Sequence, residues 1–323
     1  MEVLTTLVKS VNKSLVPSLP LAHDEAIKQN SICYYGEYGN NDILCKDMAE
    51  GMTVTQVAHW YLSPERHVRE YICVAILTLS IIIITLSRLP RYPELTTKSL
   101  RPPLFLRILT IICCTLNILY KYCGYKGKLW FLTMPCHVNW AMAFILCFYP
   151  NLSSHASNIL CQIWVGMAGL TLIAILEPDL SDLTLPFEVP YFFIMHVILL
   201  IYPLYYLLSG KITLLPLPNQ NESIVSCFMK WWMLTNASFA FFYVPVVTPL
   251  CIYSGLNLNY MMSPPPTPGD IIGGVNYRLI SCAGVSMVFG VVRLVCTFIE
   301  FCIRYWNSCP FEFHASIHPK KVL

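Results

Sequence analysis

The chain alternates between polar and apolar stretches in a simple order: a polar opening, seven long apolar runs separated by short polar loops, and a short polar tail. The runs lie at about 70–87, 104–122, 130–149, 157–176, 190–208, 227–253 and 279–303. A helix needs about 20 apolar residues to cross a bilayer, so each run predicts one crossing, the first and fifth near the lower limit. The sixth run is long, and Pro245 and Pro249 mark it for a break, because proline withholds a helical N–H. Trp130, Trp231, Trp232, Tyr120, Tyr122 and Tyr191 sit near run ends, where amphipathic rings settle at the membrane–water interface. The expected fold is all-α: a polytopic membrane protein, a bundle of about seven transmembrane helices. It spans residues 69–306, between a polar N-terminal region at 1–68 and a tail at 307–323.

Composition supports this reading. Of 323 residues, 56% are hydrophobic and 12% charged, with mean hydropathy +0.57; soluble domains carry about 25% charged residues. A net charge of +3 gives no reason to expect a nucleic-acid partner. The opening is a poor signal peptide, since Lys9 and Lys13 interrupt its apolar part, so the first membrane helix is expected to target the chain. Arg88, Arg91, Lys98, Arg101, Lys211, Lys230, Arg304, Lys320 and Lys321 fall on one side of the membrane. On the other side, the short loops and the residues next to the first helix carry Arg66, Arg69, Lys121, Lys126, Lys128 and Arg278. The positive-inside rule then places the C-terminus in the cytosol and the N-terminus in the lumen. Two features of the opening depend on that orientation: the Asn12-Lys13-Ser14 sequon, and Cys33 and Cys45, which pair only in an oxidising compartment.

The 15 cysteines show no C-x-x-C and no zinc-like Cys/His spacing, and nucleotide-binding glycine motifs are absent, so neither metal nor cofactor is expected. Most cysteines lie inside apolar runs and read as packing residues. Cys136 differs. It lies in Met134-Pro135-Cys136-His137, six residues after Trp130, in a run without acid or base. His196 lies six residues after Pro190, a natural helix start. The third and fifth helices run in the same direction, so at 1.5 Å per residue both side chains are expected ~9 Å below the same face. A thiol beside an imidazole is an activated nucleophile; the alternative for His196 is a packed histidine bonded to a neighbouring helix. His137 is the poorer partner for Cys136, because adjacent helical side chains diverge.

Other polar groups reach that face. Lys121 either snorkels or holds a phosphate. Glu188, between Pro186 and Pro190, either orients a base or is a solvated loop acid. Asn257 and Asn259 serve turn chemistry or donate to a headgroup or oxyanion. Arg293 and Glu300 read as structural pairing or snorkelling more than catalysis.

At LTMPCHV, LTLPFEVPYFFIMHVILLIYPLYYLL, FFYVPVV and GLNLNYMM the chain resembles the transmembrane protein 164 family over roughly 104–280. The resemblance is most specific at the Pro-Cys-His and Leu-Pro-Phe-Glu…His-Val blocks; Val244 stands where the family carries a histidine. It implies a multi-pass phospholipid acyltransferase that places polyunsaturated acyl chains on ether lysophospholipids. The family's proposed catalytic pair falls on Cys136 and His196, and Lys121, Glu188, Asn257 and Asn259 are the substrate-binding candidates. The expected partners are phospholipid and lysophospholipid, and the expected site is the endoplasmic reticulum or another endomembrane. A lipid hydrolase using the same pair is the close variant. A seven-helix receptor or carrier is the non-enzymatic rival, but helix 3 lacks an acid-Arg pair, helix 7 lacks Asn-Pro-x-x-Tyr, and no inverted repeat is visible.

Overall fold

The computed structural model describes residues 31–35, 43–47, 64–89, 101–125, 127–149, 153–216, 221–262 and 276–308. The Asn12 sequon, the bases Arg91, Lys98 and Lys126, and the tail beyond 308 lie outside the described residues. The opening contributes an antiparallel hairpin, β1 (Ser31–Tyr35) and β2 (Ile43–Asp47), whose register sets Cys33 opposite Cys45.

The rest is helical: α1 (Pro64–Ser87), α2 (Leu104–Cys123), α3 (Pro135–Phe148), α4 (Ser154–Leu176), α5 (Glu188–Leu208), α6 (Ile224–Phe241) and α7 (Tyr277–Ser308). Six of these are long and apolar enough to cross a membrane, α6 with its continuation to Cys251. The third run departs from expectation. It is not one helix but a 3-10 turn at Lys128–Thr133, an extended Met134, and then α3, which has only 14 residues. At 1.5 Å per residue α3 is ~21 Å long, short of the ~30 Å hydrocarbon layer. The break follows from Pro135, which drives the preceding residue out of the α region and itself suits the first helical position.

The break in the sixth run falls where its prolines sit. From Phe242 to Val247 the helix widens into a π turn containing Pro245, then resumes as α over Thr248–Ser254 with Pro249 in its first turn. The wider turn accommodates a residue without an N–H, and the Thr248 hydroxyl donates to the Tyr243 carbonyl at 3.3 Å.

α4 lies against its neighbours through glycine. A Cβ on Gly166 would stand 2.6 Å from Thr235 Cγ2 on α6, and one on Gly169 2.5 Å from Val288 Cγ1 on α7. Tyr202 of α5 ties four helices together. Its ring stacks on Trp164 of α4 at 5.2 Å and meets Trp140 of α3 edge-on at 6.2 Å. Its hydroxyl bonds the Leu106 carbonyl and Thr110 of α2. The third and fifth helices therefore touch. The side chains left outside on α1 and α7, such as Ile76, Leu77, Leu279 and Val291, are large and apolar, as a lipid-facing surface requires.

At the end where α5 finishes, Glu300 accepts from the Leu214 and Leu215 amides and Thr213 and pairs with Arg304, while Arg293 donates to Gln162 at 2.8 Å. Arg293 and Glu300 thus each hold another part of the chain at that end.

Candidate active site

The opposite end, where α1, α3, α5 and α7 begin and α2, α4 and α6 finish, holds a cavity of about 300 Å³. Cys136, His196, Lys121, Glu188, Asn257 and Asn259 all line it, as does His137. Its wall has two characters. Asp179, Asp182, Glu188, Lys121 and the two asparagines gather at the loop end; Leu170, Ile173, Phe239 and Val285 line the part between the helices.

Cys136 does not sit one and a half turns inside a helix, as continuous helix from Trp130 would place it. It is the second residue of α3. The first bond of that helix runs from the Val138 amide to the Met134 carbonyl, 3.0 Å, and Pro135 has no N–H to give. The amides of Cys136 and His137 are thus outside the helical ladder, at the open end of α3. A helix N-terminus favours negative charge, which suits a thiolate and a developing oxyanion alike. Nor are the two depths equal by helix register, since His196 lies in the third turn of α5. The bend at Met134 nonetheless carries Cys136 to the cavity that His196 lines.

His196 is 1% exposed, and its Nδ1 stands 2.7 Å from the Phe192 carbonyl. A carbonyl only accepts, so Nδ1 carries the proton and Nε2 keeps its lone pair. The ring leans on Phe192 at 4.1 Å, which fixes its plane.

Lys121 does not snorkel. It is buried and bonds Asp182 at 2.7 Å, with Glu188 at 3.8 Å. Glu188 is not a solvated loop acid. It is 2% exposed, receives Lys128 at 2.9 Å and 3.1 Å, and accepts the Leu185 amide at 3.1 Å. Lys128, Asp182 and Asn117 are site residues that sequence pattern alone did not single out. Burial holds the Lys128 ammonium below the usual lysine range, and the Lys121 charge adds to this while Glu188 opposes it. Asn117, at 4% exposure, takes the Tyr191 hydroxyl at 3.0 Å.

Asn257 does turn chemistry: its Oδ1 accepts the Met262 amide at 2.9 Å. Asn259 and Tyr260 adopt φ of 50° and 56°, a left-handed bend that asparagine tolerates well. This 257–262 strap is tied down twice. Tyr260 donates to Asp179 in the α4–α5 loop. Arg278 of α7 donates to the Met261 carbonyl at 2.8 Å while pairing with Glu70 of α1 at 3.0 Å. Burial raises the Asp179 carboxyl, but bonds from Ser181 and Tyr260 outweigh that and leave it below the usual range. Among the described residues, no group of three or more His, Cys, Asp or Glu side chains is arranged to hold a metal ion.

The TMEM164 family model matches residues 61–297, so the similarity extends past 104–280 to take in α1 and most of α7. The chain is 29% identical over 260 residues to the transmembrane protein 164 homolog of Dictyostelium discoideum, covering 73% of this chain and 86% of that protein. No solved structure matches the chain.

Proposed function

The chain belongs to the TMEM164 family, and from that premise we propose that it is a membrane phospholipid acyltransferase working through Cys136 and His196. One observation carries this reading. A thiol at the open end of a helix and an imidazole with its Nε2 lone pair free to accept line one cavity that is charged at its loop end and apolar between the helices. That polarity is what a phospholipid presents: a charged headgroup above, a chain below.

Cys136 Sγ attacks the ester carbonyl of a donor phospholipid as its proton passes to His196 Nε2. The Cys136 and His137 amides hold the oxyanion, with the Asn257–Asn259 strap beside them. Collapse breaks the ester C–O bond, forms the Cys136 thioester, and returns the proton to the departing lysolipid oxygen. The second half runs the same steps backward with an acceptor lysophospholipid, for which an ether lysolipid and a polyunsaturated chain are our proposal. Lys121 meets the phosphate by exchanging it for Asp182. We place the protein in the endoplasmic reticulum or another endomembrane, N-terminus lumenal.

Purified protein in nanodiscs, given a phospholipid with a labelled acyl chain and an unlabelled lysophospholipid, should move label to the lysolipid. Label released only as free fatty acid identifies a hydrolase on the same pair. Label left on the donor removes the proposal.

A further inference from the structure

α4 and α7 run in opposite directions and pack tightly at one depth. A Cβ on Gly169 would stand 2.5 Å from Val288 Cγ1 and 3.1 Å from Val292 Cγ2. One turn nearer the cavity end, ~6 Å along the axis, the same seam carries Ile173 of α4 and Gly284 of α7, because residues four apart share a helix face. There the two helices draw apart. Among the described residues, a Cβ on Gly284 would find nothing within 4 Å. Ile173 is 39% exposed and yet lines the cavity, as does Val285, the neighbour of Gly284.

The gap is framed by fixed contacts. On its cavity side α7 is tied by Arg278, which pairs with Glu70 of α1 and donates to the Met261 carbonyl. On its far side Trp232 of α6 donates to the Ser286 carbonyl at 2.9 Å, and Phe239 meets Phe289 edge-on at 5.3 Å. Ile280 and Met287, about a turn either side of Gly284, are exposed and apolar, as are Leu172 and Leu176 of α4. The gap therefore opens on a surface that faces lipid.

Resting on the acyl-transfer reading, we propose that this gap is a lateral portal: the acyl chain of a membrane phospholipid enters the cavity between α4 and α7, and Gly284 keeps the way open. The chemistry of the walls names the occupant. Leu170, Ile173, Ala174 and Val285 line this side of the cavity without a polar side chain. A lipid that entered from the aqueous face would have to expose its chain to water, whereas a side opening keeps the chain in apolar surroundings throughout. The headgroup then reaches the charged loop end by moving along the membrane face.

Plugging the portal separates entry from chemistry. Acylation of Cys136 is followed by intact-protein mass spectrometry on full-length protein in nanodiscs, with a long-chain phospholipid and with p-nitrophenyl acetate. The acetate is small enough to enter at the loop end, where Asp179 is exposed and lines the cavity. Gly284→Phe should slow acylation by the phospholipid at least about 30-fold and by the acetate under about 3-fold. Ile173→Trp, from the facing helix, should act in the same direction. Gly284→Ala adds a methyl with open space around it and should stay within about 2-fold with both esters. A phospholipid carrying a diazirine on its chain reads entry without chemistry. On photolysis it should label Met195, a cavity residue at 4% exposure, in Cys136→Ser protein. Adding Gly284→Phe should cut that label at least about tenfold. Undiminished phospholipid acylation in both plugged variants, equal losses with the two esters, or Met195 label absent or unchanged by the plug overturns the portal. No thioester in wild type, with Met195 labelled and the label lost on plugging, removes the acyl-transfer reading and leaves the portal standing.

Discussion

Lys128 and Glu188 make the sharpest stability prediction. Both are buried, with Nζ 2.9 Å and 3.1 Å from the two carboxylate oxygens. Removing one member of a buried pair leaves an uncompensated charge and costs about 3–5 kcal/mol. Lys128→Met leaves Glu188 with Lys121 at 3.8 Å and with the Leu185 amide, so the lower figure applies, about 3 kcal/mol. Glu188→Gln strands Lys128 while Lys121 keeps Asp182 at 2.7 Å, for about 4 kcal/mol. The double variant removes both charges and should lose about 1–2 kcal/mol, far below the sum. At about 2–4 °C per kcal/mol, Lys128→Met should melt about 6–12 °C early in detergent. A Lys128→Met melting point within about a degree of wild type, or a double variant as costly as both singles together, would refute the buried-pair argument.

The other predictions are briefer. Burial lowers the folded pKa of Lys128 below the ordinary lysine value, so the unfolded chain holds the proton to higher pH. Its contribution to stability should rise with pH from the folded value up to the ordinary lysine value, and Lys128→Met should flatten that slope in pH-dependent melts. Asp179 has a depressed pKa, so its contribution is present above the ordinary aspartate value and is lost as pH falls through the folded value. Asp179→Asn should remove this acid sensitivity and loosen protection of the 257–262 amides in hydrogen exchange. Gly169→Ala pushes a methyl to 2.5 Å from Val288 and should cost about 1–3 kcal/mol, read as earlier melting. Cys136→Ser should abolish acyl transfer in a folded protein. Cys147→Ser, a buried cysteine near Thr110 and Tyr202, should keep most of it.

Helix number and the position of the α6 break were legible because apolar length and proline are strong one-dimensional signals. The break before α3 was not, although Pro135 was in plain view: an apolar run hides an interruption, since the extended Met134 and the 3-10 turn carry the same apolar side chains as a helix would. That misplaced Cys136 in its helix and concealed the two amides at the open start of α3. The residues that meet at the cavity were findable one by one as polar groups near the same face. Their pairing was not, because Lys121 finds Asp182 and Lys128 finds Glu188 across loops 60 or more positions away, and such distances leave no local pattern.

The central claim is that Cys136 carries the acyl chain. Full-length protein in nanodiscs incubated with a single defined phospholipid, quenched in acid and analysed intact, should gain the mass of one acyl group. Peptide mapping should place the adduct on Cys136, hydroxylamine at neutral pH should remove it, and added lysophospholipid should discharge it to new phospholipid. Transfer proceeding with no adduct on Cys136, or undiminished in Cys136→Ser, would contradict the account.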